Sequence, residues 1–247
     1  TLDIKNKKII NITVEEKPTG EIMAGAGVGT GGGTFAFGVS ENNFLGRGIA
    51  FKSDVSVGKE SLKGLISLNN PNFKGSSRSL NASLESSVTD RLKNFGYKSN
   101  KTGFSIGSGY EFYDDLYWNT GISSYVEKLD TDSTASASMK KQEGSYFDTF
   151  FNQTFSYDKR NQKFKTSDGY ISRFTQNIPL ISDSYTLTNA YDYKIYNEWL
   201  NENIFSIGFF GKSTNSLSGK DVKLSDRLYL PQSKLRGFES GKIGPKD

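Results

Sequence analysis

Arg47-Gly48-Ile49-Ala50-Phe51-Lys52-Ser53-Asp54-Val55-Ser56-Val57-Gly58 decides the fold. Ile49, Phe51, Val55 and Val57 alternate with Ala50, Lys52, Asp54 and Ser56. A period of two places one set on each face of a β-strand. The pattern recurs along the chain. Leu62, Ile66 and Leu68 alternate with Lys63, Ser67 and Asn69. Leu80, Ala82, Leu84 and Val88 alternate with Asn81, Ser83, Glu85 and Ser87, and Phe104, Ile106, Tyr110 and Phe112 with Ser105, Gly107, Gly109 and Glu111. Phe147, Phe151, Phe155 and Tyr157 face away from Asp148, Asn152, Thr154 and Ser156, and only Phe150 breaks the alternation.

Eleven strands are predicted, at 21–29, 33–42, 47–58, 61–70, 77–88, 101–112, 115–127, 145–157, 168–178, 184–196 and 202–213. Most run for ~9–12 residues, the length of a tilted strand crossing a bilayer. Soluble sandwich strands average ~5–6 residues. The expected fold is all-β, an antiparallel transmembrane barrel. On periodicity alone a large soluble antiparallel sheet stays open, because a polar face suits a wet lumen and a solvated surface equally. The links near 89–100, 127–144 and 214–247 read as long and follow odd strands, whereas those near 43–46 and 113–114 read as short. Short periplasmic turns and longer external loops fit that contrast. The links at 71–76 and 158–167 are of intermediate length and weaken it.

Composition narrows the function classes. Hydrophobic residues make up 34% of 247 residues, and no run approaches the ~20 apolar residues of a spanning helix. Gly 26, Tyr 13 and Phe 18 are high, which suits close-packed strands and interfacial aromatic girdles. Trp118, Tyr117, Trp199, Tyr193 and Tyr196 are candidates for such girdles, and equally for ordinary strand faces. Zero His and zero Cys remove His-based triads, most zinc sites and any disulfide framework. The net charge of +4 is spread along the chain, so no nucleic-acid footprint is expected. No catalytic constellation is expected, and no cofactor or metal. Asp114-Asp115 reads as a turn, and Gly29-Thr30-Gly31-Gly32-Gly33 lacks the Lys and helix of a phosphate loop.

Six motifs in order then carry a family resemblance. Ile12-Thr13-Val14-Glu15-Glu16-Lys17-Pro18-Thr19-Gly20 is similar to the end of a periplasmic POTRA module and its link to a barrel. Gly25-Ala26-Gly27-Val28-Gly29-Thr30 resembles a Gly-rich first strand, and Asn43-Phe44-Leu45-Gly46-Arg47-Gly48 a first periplasmic turn. Asn70-Pro71-Asn72-Phe73 follows the fourth strand, and Tyr157-Asp158 with Thr166-Ser167-Asp168-Gly169 links the eighth to the ninth. Leu235-Arg236-Gly237-Phe238 with Ile243-Gly244-Pro245 is similar to a conserved sixth-loop motif, with Leu where Val is usual. Together these resemble the POTRA-plus-barrel insertases of the BamA type, the bacterial surface antigen superfamily of the outer membrane.

The resemblance implies residues 1–16 as the C-terminal hairpin of a POTRA module, 17–20 as a linker, 21–213 as barrel strands one to eleven, and 214–247 as the sixth extracellular loop. The family barrel has about sixteen strands. About five are therefore expected beyond this sequence, along with most of the periplasmic arm and a signal peptide. Implied partners are the outer-membrane bilayer, unfolded barrel clients and accessory lipoproteins. The implied function is folding and insertion of β-barrel proteins. A TamA-like factor, a polypeptide-secretion transporter and a passive porin are the alternatives.

Two sites follow. Leu235, Arg236, Gly237, Phe238, Gly244 and Pro245 form the loop motif, in which Arg236 offers a planar fork for a carboxylate, Gly237 either close backbone approach or a positive φ, and Phe238 an apolar anchor. The family's arginine meets carboxylates on late strands, and Asp148 or Asp192 are the candidates within this chain. Met23, Ala24, Gly25, Ala26, Gly27, Val28 and Gly29 form a lateral seam strand. Its glycines either weaken the seam for pairing with a client strand or allow tight curvature.

Overall fold

A computed structural model describes residues 11–15, 17–29, 32–199, 203–230, 235, 237 and 238. Eleven strands form one antiparallel sheet in sequence order, β1-β2-β3-β4-β5-β6-β7-β8-β9-β10-β11, and the sheet is unclosed. They are β1 Gly20–Gly29, β2 Gly32–Phe44, β3 Ile49–Gly58, β4 Ser61–Asn70, β5 Ser79–Arg91, β6 Tyr97–Tyr113, β7 Leu116–Thr131, β8 Gly144–Asp158, β9 Gly169–Ser182, β10 Thr186–Glu198 and β11 Ile204–Ser216. Each predicted strand is present. The end at which odd-numbered strands finish is called the upper rim below.

Register assigns every side chain to one of two faces. Ile106 of β6 stands opposite Ile122 of β7, which stands opposite Phe151 of β8, which stands opposite Ile178 of β9. These belong to the outer face, where Phe35, Leu84, Phe104 and Val126 are also exposed. In water such a surface would be a continuous apolar patch, which soluble monomers avoid. In lipid it is the solvated side. Among the described residues the only buried large hydrophobics are Tyr97, Leu129 and Leu224, all near the upper rim. The chain exposes 17508 Å², against about 11,000 Å² for a compact soluble monomer of this size. A soluble sandwich would hide its apolar residues between two sheets, and this sheet has no such second layer. The soluble alternative is thereby set aside.

The inner face is polar and crowded. Hydroxyls and amides bond across strands there, as in Ser83 with Ser105 at 2.8 Å and Asn152 donating to Ser123 at 2.9 Å. Gly121 lies opposite Gly107. A Cβ on Gly121 would stand 2.5 Å from the Ile106 carbonyl oxygen, and one on Gly103 2.2 Å from that of Ser124. Only glycine fits this close twist of β6 on β7.

Three expectations need correction. The link expected at 89–100 shrinks to 92–96, with a single helical turn, α1, at Leu92–Phe95. β5, β6 and β7 run past the apolar alternation because their ends stand above the lipid, where outward positions such as Asn100 and Lys128 are polar. The contrast between long upper loops and short lower turns is correspondingly weaker, since the lower link 159–168 is long. The link expected at 127–144 shrinks to 132–143 and contains a second helical turn, α2 Ala137–Lys140, capped by the Ser136 side chain accepting from the Met139 N–H at 3.3 Å.

Of the expected aromatics, Trp118 and Tyr193 lie on the outer face towards the lower end. Trp118 stacks on Phe155 with centroids 5.8 Å apart, and Tyr193 meets Tyr170 at 5.9 Å. Tyr117 and Tyr196 share the inner face instead, as their pairing with Ser156 and Gly169 shows. Phe150 breaks the apolar alternation because it stands on the inner face opposite Ser123, lining the polar side by ordinary strand parity, while the neighbouring register shift leaves Leu180 of β9 unpaired. Residues 11–15 are exposed and without strand or helix, and 1–10 and 16 lie outside the described residues.

Candidate functional site

Beyond β11 the chain bends at 217–220 and returns across the inner face of the sheet. A short 3-10 turn at Leu224–Asp226 anchors it there. Leu224 is 1% exposed and packs with Tyr97 of β6 and Leu129 of β7, bordered by Phe95, Met139 and Tyr146. Its N–H donates to the Gln142 side-chain oxygen at 2.9 Å. Further along, Tyr229 sets its ring edge against Phe95, with centroids 4.8 Å apart, and the Arg91 guanidinium lies 5.2 Å from the Phe95 ring.

Lys223 fastens the loop. It is 4% exposed, and its ammonium stands 2.7 Å from Glu127 Oε2 on β7 and 2.8 Å from Asp148 Oδ2 on β8. Asp226 Oδ2 approaches to 3.6 Å and the Tyr146 ring centroid to 5.0 Å. Each carboxylate is itself held. Ser99 of β6 donates to Glu127 Oε1. Ser182 and Ser184, at the β9–β10 link, donate their hydroxyls to Asp148 Oδ1. One lysine thus ties the loop to the wall from β6 to β10.

Burial works against the lysine's charge. The carboxylates of Asp226, Glu127 and Asp148 outweigh it and hold the ammonium protonated well above the usual lysine range. Asp226 pays the opposite penalty. Burial pushes its carboxyl up, and Lys223 offsets this only in part, because Glu127 and Asp148 repel it. Beneath Asp226 lies a polar cavity of about 160 Å³ lined by Lys101, Ser123, Asn152 and Thr186 among others. Among the described residues no His, Cys, Asp and Glu cluster has the geometry to hold a metal ion.

The predicted loop motif is only partly visible. Leu235, Gly237 and Phe238 are described, whereas Arg236, Gly244 and Pro245 lie outside the described residues. Gly237 has φ +88°, and Phe238 is exposed. Asp148, one of the two carboxylates considered for Arg236, is engaged by Lys223. Asp192 lies on the inner face of β10 opposite Arg173. Sequence reasoning missed Lys223 and Glu127. Nothing in Lys220-Asp221-Val222-Lys223-Leu224 distinguishes the lysine that enters the barrel from the one that does not. The inward parity of Glu127, two residues before Leu129, was the one available signal.

The seam strand β1 is an edge of the sheet and pairs with β2 from Gly20↔Glu41 to Gly29↔Gly32. Ala24 and Ala26 point outward beside Phe37 and Phe35. Gly25 and Gly27 point inward, and a Cβ on either would meet nothing within 4 Å.

A polar inner wall, a lipid-facing outer wall and a loop folded back between them form the setting for the family comparison. The Omp85 superfamily domain matches residues 43–247. The chain belongs to the Omp85 superfamily. It is 24% identical over 246 residues to the outer membrane protein assembly factor BamA of Neorickettsia risticii (strain Illinois), covering 97% of this chain and 33% of that protein. The chain therefore spans about a third of this relative's length. The crystal structure of BamA from Haemophilus ducreyi lacking POTRA domains 1–3 superimposes with a TM-score of 0.80 at 22% identity, over 94% of this chain and 48% of that one. The eleven strands are those of an Omp85 barrel, and the protein resides in the bacterial outer membrane.

Proposed function

We propose that this chain supplies the first eleven strands of a barrel that folds and inserts other β-barrel proteins into the outer membrane, without enzymatic chemistry. The observation that carries the reading is the β1 edge. Glycine weakens a strand by its backbone entropy and absent side chain. Towards β2 a Cβ at Gly25 or Gly27 would meet no described atom within 4 Å, so pairing with β2 does not demand glycine there, in contrast to the packing of β6 on β7 at Gly103 and Gly121. We read these glycines as weakening the seam rather than as serving curvature. An edge that separates readily from the closing strand of the complete barrel can pair with a client strand through main-chain hydrogen bonds, which do not depend on client sequence. The loop docked on the inner wall at Lys223 and Leu224 supports the same role.

In this reading residues 1–16 close a POTRA module, 17–20 link it to the barrel, the upper rim is extracellular, and 214–247 form the sixth loop. Partners are unfolded barrel clients, the bilayer and accessory lipoproteins. The test is insertion of a urea-unfolded β-barrel client by the full-length protein in liposomes. Folding faster than in empty liposomes is expected. Arg236→Ala should slow it and Lys234→Ala should not. Equal, silent outcomes for both variants would remove the role given to the loop motif.

A further inference from the structure

One row of outer-face residues departs from its surroundings. Ser108 of β6, Thr120 of β7, Gln153 of β8, Gln176 of β9, Asn189 of β10 and Ser213 of β11 stand opposite one another in unbroken register. The neighbouring row below is aromatic, with Trp118, Phe155, Phe174 and Tyr191, and the one above is apolar, with Ile122, Phe151 and Ile178. Three members form an amide chain. Gln153 donates to Gln176 at 2.9 Å, and Gln176 donates to Asn189 at 2.7 Å.

Strand shear carries this row obliquely across the membrane. It starts near the lower end of β6 and finishes near the upper end of β11, with Gln176 midway along β9. Each side-chain amide has two N–H donors. Among the described residues the chain of bonds leaves one N–H on each glutamine and both on Asn189 without an acceptor. In hydrocarbon an unsatisfied donor costs several kcal/mol. Acyl chains accept nothing, and Gln176 lies midway along β9, far from either rim. A protein surface bearing carbonyl acceptors at mid-membrane is the remaining source.

We propose that the outer wall of β8–β10 is a self-association surface on which a second copy of this protein docks around Gln176. The amide is donor and acceptor at once, so a two-fold axis through Gln176 pairs each spare N–H with a spare oxygen of the other copy. Such self-complementarity is what an isologous contact requires. Strands tilted by about 35–45° in each wall cross steeply when two barrels meet. Polar contact therefore concentrates at the crossing point, Gln153–Gln176–Asn189, while Phe174 and Ile178 pack beside it. This wall stands well away from β1 in the sheet order, so pairing leaves the seam strand open.

The test uses full-length protein whose only cysteine is the introduced one, reconstituted in liposomes, with a bis-maleimide reaching about 10 Å, the spacing of facing sheets. Gln176→Cys is expected to give covalent homodimer about tenfold faster than Leu84→Cys, an outer-face control on β5. Adding Gln153→Leu and Asn189→Leu should reduce the dimer by a similar factor, with heat-modifiability on gels unchanged. Equal rates at both cysteines, cross-links to another protein alone in native membranes, or indifference to the leucines would overturn the proposal.

Discussion

Lys223, in the loop after β11, and Asp148, near the upper end of β8, meet at 2.8 Å inside the sheet's concave wall. The same ammonium reaches Glu127 of β7 at 2.7 Å, so the loop is docked by charge as well as by the Leu224 contact. Concentrating the ionic part of that docking on Lys223 makes the loop's position sensitive to substitution there.

Lys223→Met keeps the length of the side chain and removes its charge. Glu127 and Asp148 then face each other buried and unpaired. Breaking such a pair from one side costs about 3–5 kcal/mol. Loop 217–230 should become cleavable by added protease in the folded barrel. Lys223→Arg, which retains the charge, should protect it substantially better.

Asp226 gives docking a pH dependence. Its carboxyl is pushed up on docking by burial, against the 3.8 of a solvated aspartate. Lys223 on its own turn, Lys101 on β6, Glu127 on β7 and Asp148 on β8 set the local field. A group raised in the docked state stabilises docking below its undocked value and loses that contribution as pH rises through the docked one. The window opens just above 3.8 and extends upward. Amide exchange in the loop should therefore be slower at about pH 5 than at about pH 8, after correction for intrinsic rates. Asp226→Asn should flatten that difference and slow exchange at the higher pH.

Glycines on two strands should respond in opposite ways. Gly121→Ala forces a Cβ to 2.5 Å from backbone oxygen on β6 and should cost about 2–4 kcal/mol in urea unfolding. Gly25→Ala enters open space and should be neutral or stabilising by up to about 1 kcal/mol.

Gly237→Ala tests the loop motif by conformation. Its φ of +88° disfavours any Cβ, although among the described residues nothing lies within 4 Å of one. A cost of about 1–2 kcal/mol confined to the loop is expected, seen as faster local exchange with unchanged global unfolding.

The strand count was legible because outer-face residues such as Ile106, Ile122 and Phe151 must be apolar wherever lipid touches them. The upper extents of β5, β6 and β7 were not legible, because that requirement lapses above the bilayer. Thr89, Lys98 and Asp130 continue the ladder with polar side chains that read as loop. The latch was hidden for a different reason. Glu127 and Asp148 sit in neighbouring strands at positions set by register, and Lys223 meets them only after a turn that local sequence does not specify.

The weak β1 seam is the central claim, and client insertion by the full-length protein carrying Gly25→Val and Gly27→Val measures it most directly. A Cβ at either position meets no described atom within 4 Å, and valine strengthens a strand through β-propensity. The account predicts a barrel at least as stable as the parent that inserts an unfolded client about tenfold more slowly in liposomes. Insertion at the parental rate by an equally stable variant would contradict it.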